Sequence, residues 1–133
     1  MHTVTRRKLM RSGGLAASAA ALAAAGGRAA NAAETARGNY FHAFAFQWKP
    51  EVTDAEKQRA AREIAALEGQ IPGLLETHVG ENISPRGNGY TFGGIMRFAD
   101  KAALDAYPQH PAHQALLVWL KPLIDAVELD LRA

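Results

Sequence analysis

The stretch YFHAFAFQWKP, residues Tyr40 to Pro50, alternates between two unlike sets of side chains. His42, Phe44, Phe46 and Trp48 are large and fall on one face of an extended chain. Ala43, Ala45 and Gln47 fall on the other. A period of two reads as a β-strand. The large face suits packing under helices. The small face suits a second sheet lying close against it. A chain that opens its folded part with this strand therefore needs helices on one side of a sheet and another sheet on the opposite side.

The elements that follow agree with that demand. TDAE, Thr53 to Glu56, is a capping box: the threonine hydroxyl accepts from the N–H three residues on, and the glutamate reaches back. The helix it starts carries Ala60, Ile64, Leu67 and Ile71 as an apolar stripe, with Gly69 and Pro72-Gly73 placed to end it. LLETHVGEN, Leu74 to Asn82, reads as a second strand with Leu75, Thr77 and Val79 on one face and His78 on the other. ISPRGNGY is a polar hairpin loop, with Arg86 and Asn88 in water. TFGGIMRF, Thr91 to Phe98, is a third strand, and Gly93 with Gly94 predict something close above it. Asp100 caps a short helix that Pro108 closes. A second helix runs from Pro111 to about Lys121, and AVELDL, Ala126 to Leu131, alternates as the last strand. The order is β-α-β-β-α-α-β, an α+β domain without repeats or long linkers.

Charge separates this part from the front of the chain. Residues 1–32 hold Arg6, Arg7, Lys8, Arg11 and Arg28 and no acid, while the remainder has ten basic and thirteen acidic groups. The basic balance thus belongs to the front, and nucleic acid is not an expected partner. TRRKLM, then the Ala/Gly-rich stretch Gly13 to Ala25, then ANA at Ala30 to Ala32, resembles a bacterial twin-arginine signal, with Leu9 where phenylalanine is common. The apolar stretch is shorter than the ~20 residues a bilayer span needs, so no stable membrane insertion of the mature chain is expected. The expectation is a periplasmic or otherwise exported protein: signal 1–32, lead-in 33–39, domain 40–133. With no cysteine, disulfides, thiolate chemistry and cysteine metal sites are excluded. A mature domain of ~100 residues buries a modest share of its surface, so self-association is expected to supplement it.

The densest chemistry is YPQHPAHQA, Tyr107 to Ala115. Pro111 suits the first helical turn, which puts His110 at the N-cap and His113 two residues after Pro111. The dipole at a helix start favours a neutral imidazole, and a neutral imidazole can accept a proton near pH 7. Tyr107 could orient that ring or donate to a developing enolate. From Pro111 the apolar stripe is Ala112, Ala115, Leu116, Trp119 and Leu120, and His113 borders it. Both residues could equally fill a half-polar core. A metal site is not expected, because two histidines around a helix start lack the i, i+4 spacing of a zinc helix.

Taken in order, His42, WKP, IPG, VGEN, SPRGNGY, HPAH and the final LDL make the mature chain similar to the stress-responsive A/B barrel family, over roughly Phe41 to Leu131. The resemblance implies a ferredoxin-like fold with a four-stranded antiparallel sheet, paired face to face in a homodimer as a dimeric α/β barrel. Most members have no established activity. One branch is a polyketide cyclase that uses a tyrosine before H-P-x-H together with its second histidine, here Tyr107 and His113, and lines its pocket with a histidine matching His42. That branch has a further histidine where this chain has Phe92, and pocket aromatics where this chain has Ala60, Ala61 and Ile64, which implies a different cavity and substrate.

The expected function is that of an exported homodimer binding a small, largely apolar molecule. Its cavity would be lined by His42, Phe44, Phe46, Ile64 and Leu116, with no cofactor. Two alternatives stand beside it. One is an acid–base enzyme on a carbonyl compound, with Tyr107 and His113 catalytic. The other is a structural stress protein whose cavity is filled by side chains. An open cavity touching both Tyr107 and His113 would separate the first two from the last.

Overall fold

The computed structural model describes residues 38–133. The signal reading of 1–32 and most of the lead-in lie outside the described residues. Four strands, β1 (Tyr40–Trp48), β2 (Leu74–Glu81), β3 (Phe92–Phe98) and β4 (Ile124–Arg132), form one antiparallel sheet in the order β2-β3-β1-β4. Between them run α1 (Asp54–Ala66), α2 (Lys101–Ala106) and α3 (Pro111–Leu120), each followed by a single 3-10 turn. This is the expected β-α-β-β-α-α-β order of a ferredoxin-like α+β fold.

The alternation in β1 determines the layers. His42, Phe44 and Phe46 are buried, and the two phenylalanines pack in the core with Ala60 and Ile64 of α1 and Leu116 and Leu120 of α3. The capping box forms in full: Thr53 N–H donates to Glu56 Oε2 at 2.8 Å, and Glu56 N–H donates to Thr53 Oγ1 at 3.2 Å. Asp100 Oδ1 accepts from the Ala103 N–H at 2.8 Å and starts α2. Gly94 has the close neighbour its strand position implies. A Cβ there would stand 2.6 Å from the Phe44 ring and 2.4 Å from the His78 carbonyl oxygen.

Two expectations about faces are corrected. In β2 the register shifts between Leu74 and Glu76. This bulge takes Leu75 out of phase, so Leu74 is the buried residue and Leu75 is exposed. One extra residue in a strand displaces a side chain in this way, and a period-2 reading does not see it. In α3, Leu116 and Leu120 are buried but Ala115 is exposed. The helix is buried along a stripe narrower than its apolar composition suggests.

Among the described residues, no helix lies over the opposite face of the sheet. Ala43 lies between Ile95 and Leu129, and Ala45 between Gly93 and Val127. Ile95, Val127, Leu129 and Leu131 of this face are 47% to 56% exposed. His78 stands on it opposite Ile95, largely in solvent, with Glu76 at 3.9 Å.

A histidine–tyrosine pocket between sheet and helices

The HPAH segment begins α3 in an unusual way. His110 has extended backbone angles, and its Nδ1 accepts the Ala112 N–H at 3.1 Å, so an imidazole fills the N-cap role. Pro111 follows at the first helical position, where no N–H is needed. The next turn carries His113 inward. Its Nδ1 lies 3.1 Å from the Pro108 carbonyl oxygen. A carbonyl can only accept, so Nδ1 carries the hydrogen and Nε2 is the ring's remaining acceptor in the neutral form. Burial holds the His113 imidazole below its ordinary pKa, partly opposed by the bond to Pro108.

Tyr107 ends α2 and is 5% exposed. Its ring centroid is 4.3 Å from that of His113, 5.3 Å from His42 and 5.4 Å from Phe98. Among the described residues its hydroxyl has no hydrogen-bond partner. Burial, and after it the charges of Glu128 and Asp130, push its ionisation far above the usual phenol range, so it remains a donor. The third polar group is His42, 7% exposed, with Nδ1 2.7 Å from Asp130 Oδ1. An ionised Asp130 accepts there, which again leaves Nε2 as the free acceptor of a neutral ring.

These groups share one cavity. His42, Phe44, Phe46, Ile64, Tyr107, His113 and Leu116 all line it. Every side chain singled out from the sequence for this pocket is therefore brought together. The cavity is small, about 40 Å³. It is neither filled nor wide. Met96, Leu117, Leu120, Ile124 and Glu128 complete the lining and were not foreseen. Nor was Asp130. The signal for the two acids lies in AVELDL: Val127, Leu129 and Leu131 alternate with Glu128 and Asp130, and only the pairing of His42 with Asp130 and Phe44 with Glu128 shows which set faces the helices.

Other residues lie elsewhere. Phe92 stacks 5.8 Å from Phe46 and 5.2 Å from Trp48, outside the cavity lining. Trp119 donates Nε1–H to Glu63 at 2.8 Å while Arg59 sits 4.0 Å over its ring, tying α3 to α1. Arg86 and Asn88 are exposed. A wider hollow of about 530 Å³, by Trp48, Lys57 and Asn82, touches none of the histidines. No cluster of three metal-binding side chains occurs among the described residues, and no described helix is long and apolar enough to cross a membrane.

Sheet, helices and pocket together define a ferredoxin-like α+β domain with a single-chain cavity holding two imidazoles and a phenol. The chain belongs to the stress-responsive A/B barrel family, whose domain matches residues 41–132. Among solved structures, it is similar to a family member with a ferredoxin-like fold from Mesorhizobium loti, at 28% identity and TM-score 0.62, over 73% of this chain and 98% of that one. A dimeric ferredoxin-like protein of unknown function from Jannaschia sp. is also 28% identical, with TM-score 0.59, over 71% and 98% of the two chains. The hydroxynitrile lyase of Passiflora edulis shares the fold at 16% identity and TM-score 0.65, over 71% and 92%. No curated protein matches the chain.

Proposed function

We propose that the protein is an exported homodimer whose helix-side cavity binds a small, largely apolar carbonyl compound. The observation that carries this reading is the Tyr107 hydroxyl. It is a donor with no partner among the described residues, carried by a buried ring that stands between two imidazoles in a largely apolar lining. A ligand oxygen can accept that hydrogen bond. At about 40 Å³ the cavity has to widen for anything beyond a few atoms. His113 and Leu117 of α3 are the half-buried residues of its lining. Dimerisation is supported by the uncovered apolar sheet face and by the dimeric Jannaschia relative. Export is supported by Arg6-Arg7 and the Ala/Gly stretch behind them.

Acetophenone, followed through the imidazole signals of His113, tests the binding reading. Wild type should show saturable shifts, Tyr107→Phe should bind about tenfold or more weakly, and His113→Ala should lose binding while melting nearly normally. A chain that binds nothing, and in which His113→Ala melts far lower, is the structural protein with a satisfied core histidine. For export, Arg6→Lys with Arg7→Lys should leave precursor in the cytoplasm, and the mature form should begin near Ala33.

A second reading, acid–base chemistry on the bound carbonyl compound, is favoured by one pair of observations. His113 is biased to its neutral form, and Tyr107 stays protonated beside it. Tyr107 would donate to the carbonyl oxygen while His113 takes a proton from the adjacent carbon. Enzyme-dependent exchange of the acetophenone methyl protons in D2O, lost in His113→Ala, checks this. Binding without exchange leaves the first reading alone.

A further inference from the structure

One exposed carboxylate, Glu128, lines the cavity, and a second, Asp130, stands next to it on the same face of β4. β4 sets Glu128 opposite Phe44 and Asp130 opposite His42, so both carboxylates stand on the helix side of the sheet. They differ in what holds them. Asp130 is bonded to His42. Among the described residues no cationic side chain lies within ion-pair distance of Glu128, and the cavity that Glu128 lines contains no lysine or arginine. Its charge is felt inside: after burial, Glu128 is the next contributor to the raised ionisation of Tyr107.

Tyr107, whose hydroxyl has no partner among the described residues, therefore sits in the field of two carboxylates. An oxygen that accepts its hydrogen bond enters the same field. A ketone or aldehyde oxygen brings only a partial negative charge. A carboxylate brings a full one, and no cation in the lining compensates it. We propose that Glu128 makes this cavity selective for uncharged aldehydes and ketones over carboxylates of the same size. The proposal rests on the cavity being a binding site and adds the class of molecule it accepts. Glu128 is exposed, so water and salt screen it, and the selectivity is moderate and sensitive to ionic strength.

Acetophenone and benzoate have the same number of heavy atoms and differ in charge. Each is titrated into the full chain at low salt while the His113 imidazole signals are followed. Wild type should bind acetophenone about tenfold more tightly than benzoate, the order expected of an unpaired charge near a partly screened site. Glu128→Gln should strengthen benzoate relative to acetophenone roughly three- to tenfold. Raising the salt should move wild type toward the variant. Glu81→Gln, the same charge change on β2, should alter neither ligand. Benzoate unchanged by Glu128→Gln, or strengthened equally by Glu81→Gln, overturns the selectivity while the binding site stands. If neither compound moves the His113 signals, the cavity is not a binding site and the selectivity falls with it.

Discussion

Phe44 and Ala45 are neighbours in β1 and belong to two different problems. Phe44 points under the helices and is buried within this chain, stacked 5.2 Å from Phe46 and pressed over Gly94. Ala45 points to a face that none of the described residues covers, between Gly93 and Val127. On the helix side β1 carries His42, Phe44 and Phe46, while on the open side Ala43 and Ala45 keep the middle of β1 small and Ile95, Val127, Leu129 and Leu131 stand on its neighbours β3 and β4. A row of small residues flanked by large ones makes a trough in an apolar surface, a shape that a second sheet can enter. The contrast shows that one strand can specify a core on one face and an open apolar surface on the other.

Changing each neighbour breaks a different half of this contrast. Ala45→Glu should have the largest effect, because a carboxylate inserted in a sheet-to-sheet contact without a partner costs several kcal/mol, roughly. The expected result is a monomer, or an insoluble chain, by light scattering. A soluble dimer of unchanged mass would place the interface on another surface. Phe44→Ala should instead lower stability by about 3–5 kcal/mol, the range for a buried aromatic truncated to alanine. Chemical denaturation of a dimer-competent Phe44→Ala protein checks it. A loss well below that range would mean that the cavity collapses into the space released.

Acidification sharpens the contrast at smaller scale. His113 is held below its ordinary pKa in the fold by burial, so the unfolded chain takes up the proton first as pH falls. The stability it contributes is complete above the unfolded value, about 6.5, and is lost as pH falls from there toward the folded value. Melting temperature should therefore drop between pH 7.5 and 5.5, and drop less in His113→Gln. The exposed His78 on the open face serves as the comparison: His78→Gln should leave the drop as it is. Equal behaviour of the two variants would mean that His113 is solvated before unfolding.

Most of the fold was legible from local rules. The capping box, the Ala60-Ile64-Leu67-Ile71 stripe and the two faces of β1 are short-range patterns whose meaning does not depend on partners, and all appear as read. The misreadings have non-local or single-residue causes. The bulge at Leu75 is one extra residue, and it reverses a face without changing composition. Glu128 and Asp130 look like ordinary solvated carboxylates until the β1–β4 register sets them opposite Phe44 and His42. For the same reason the pocket's histidines and tyrosine could be named from the sequence, but the acid that binds His42 could not. Its partner lies 88 residues away, and only strand pairing joins them.

The smallest effect concerns the entrance to α3. His110 and His113 stand one helical turn apart, yet their Nδ1 atoms do different work: one accepts a backbone N–H, and the other donates to a carbonyl. If His110 is a cap and nothing more, its loss should cost what caps cost, about 0.5–2 kcal/mol, and leave acetophenone binding unchanged. His110→Asn should recover most of that stability, since asparagine is a preferred N-cap and can accept the same Ala112 N–H. His110→Ala should not recover it. Denaturation midpoints of the two variants, measured beside their acetophenone affinities, decide the point. Should His110→Asn keep its stability and yet bind poorly, the imidazole would belong to the pocket as well as to the helix, and the division of labour within HPAH would have to be redrawn.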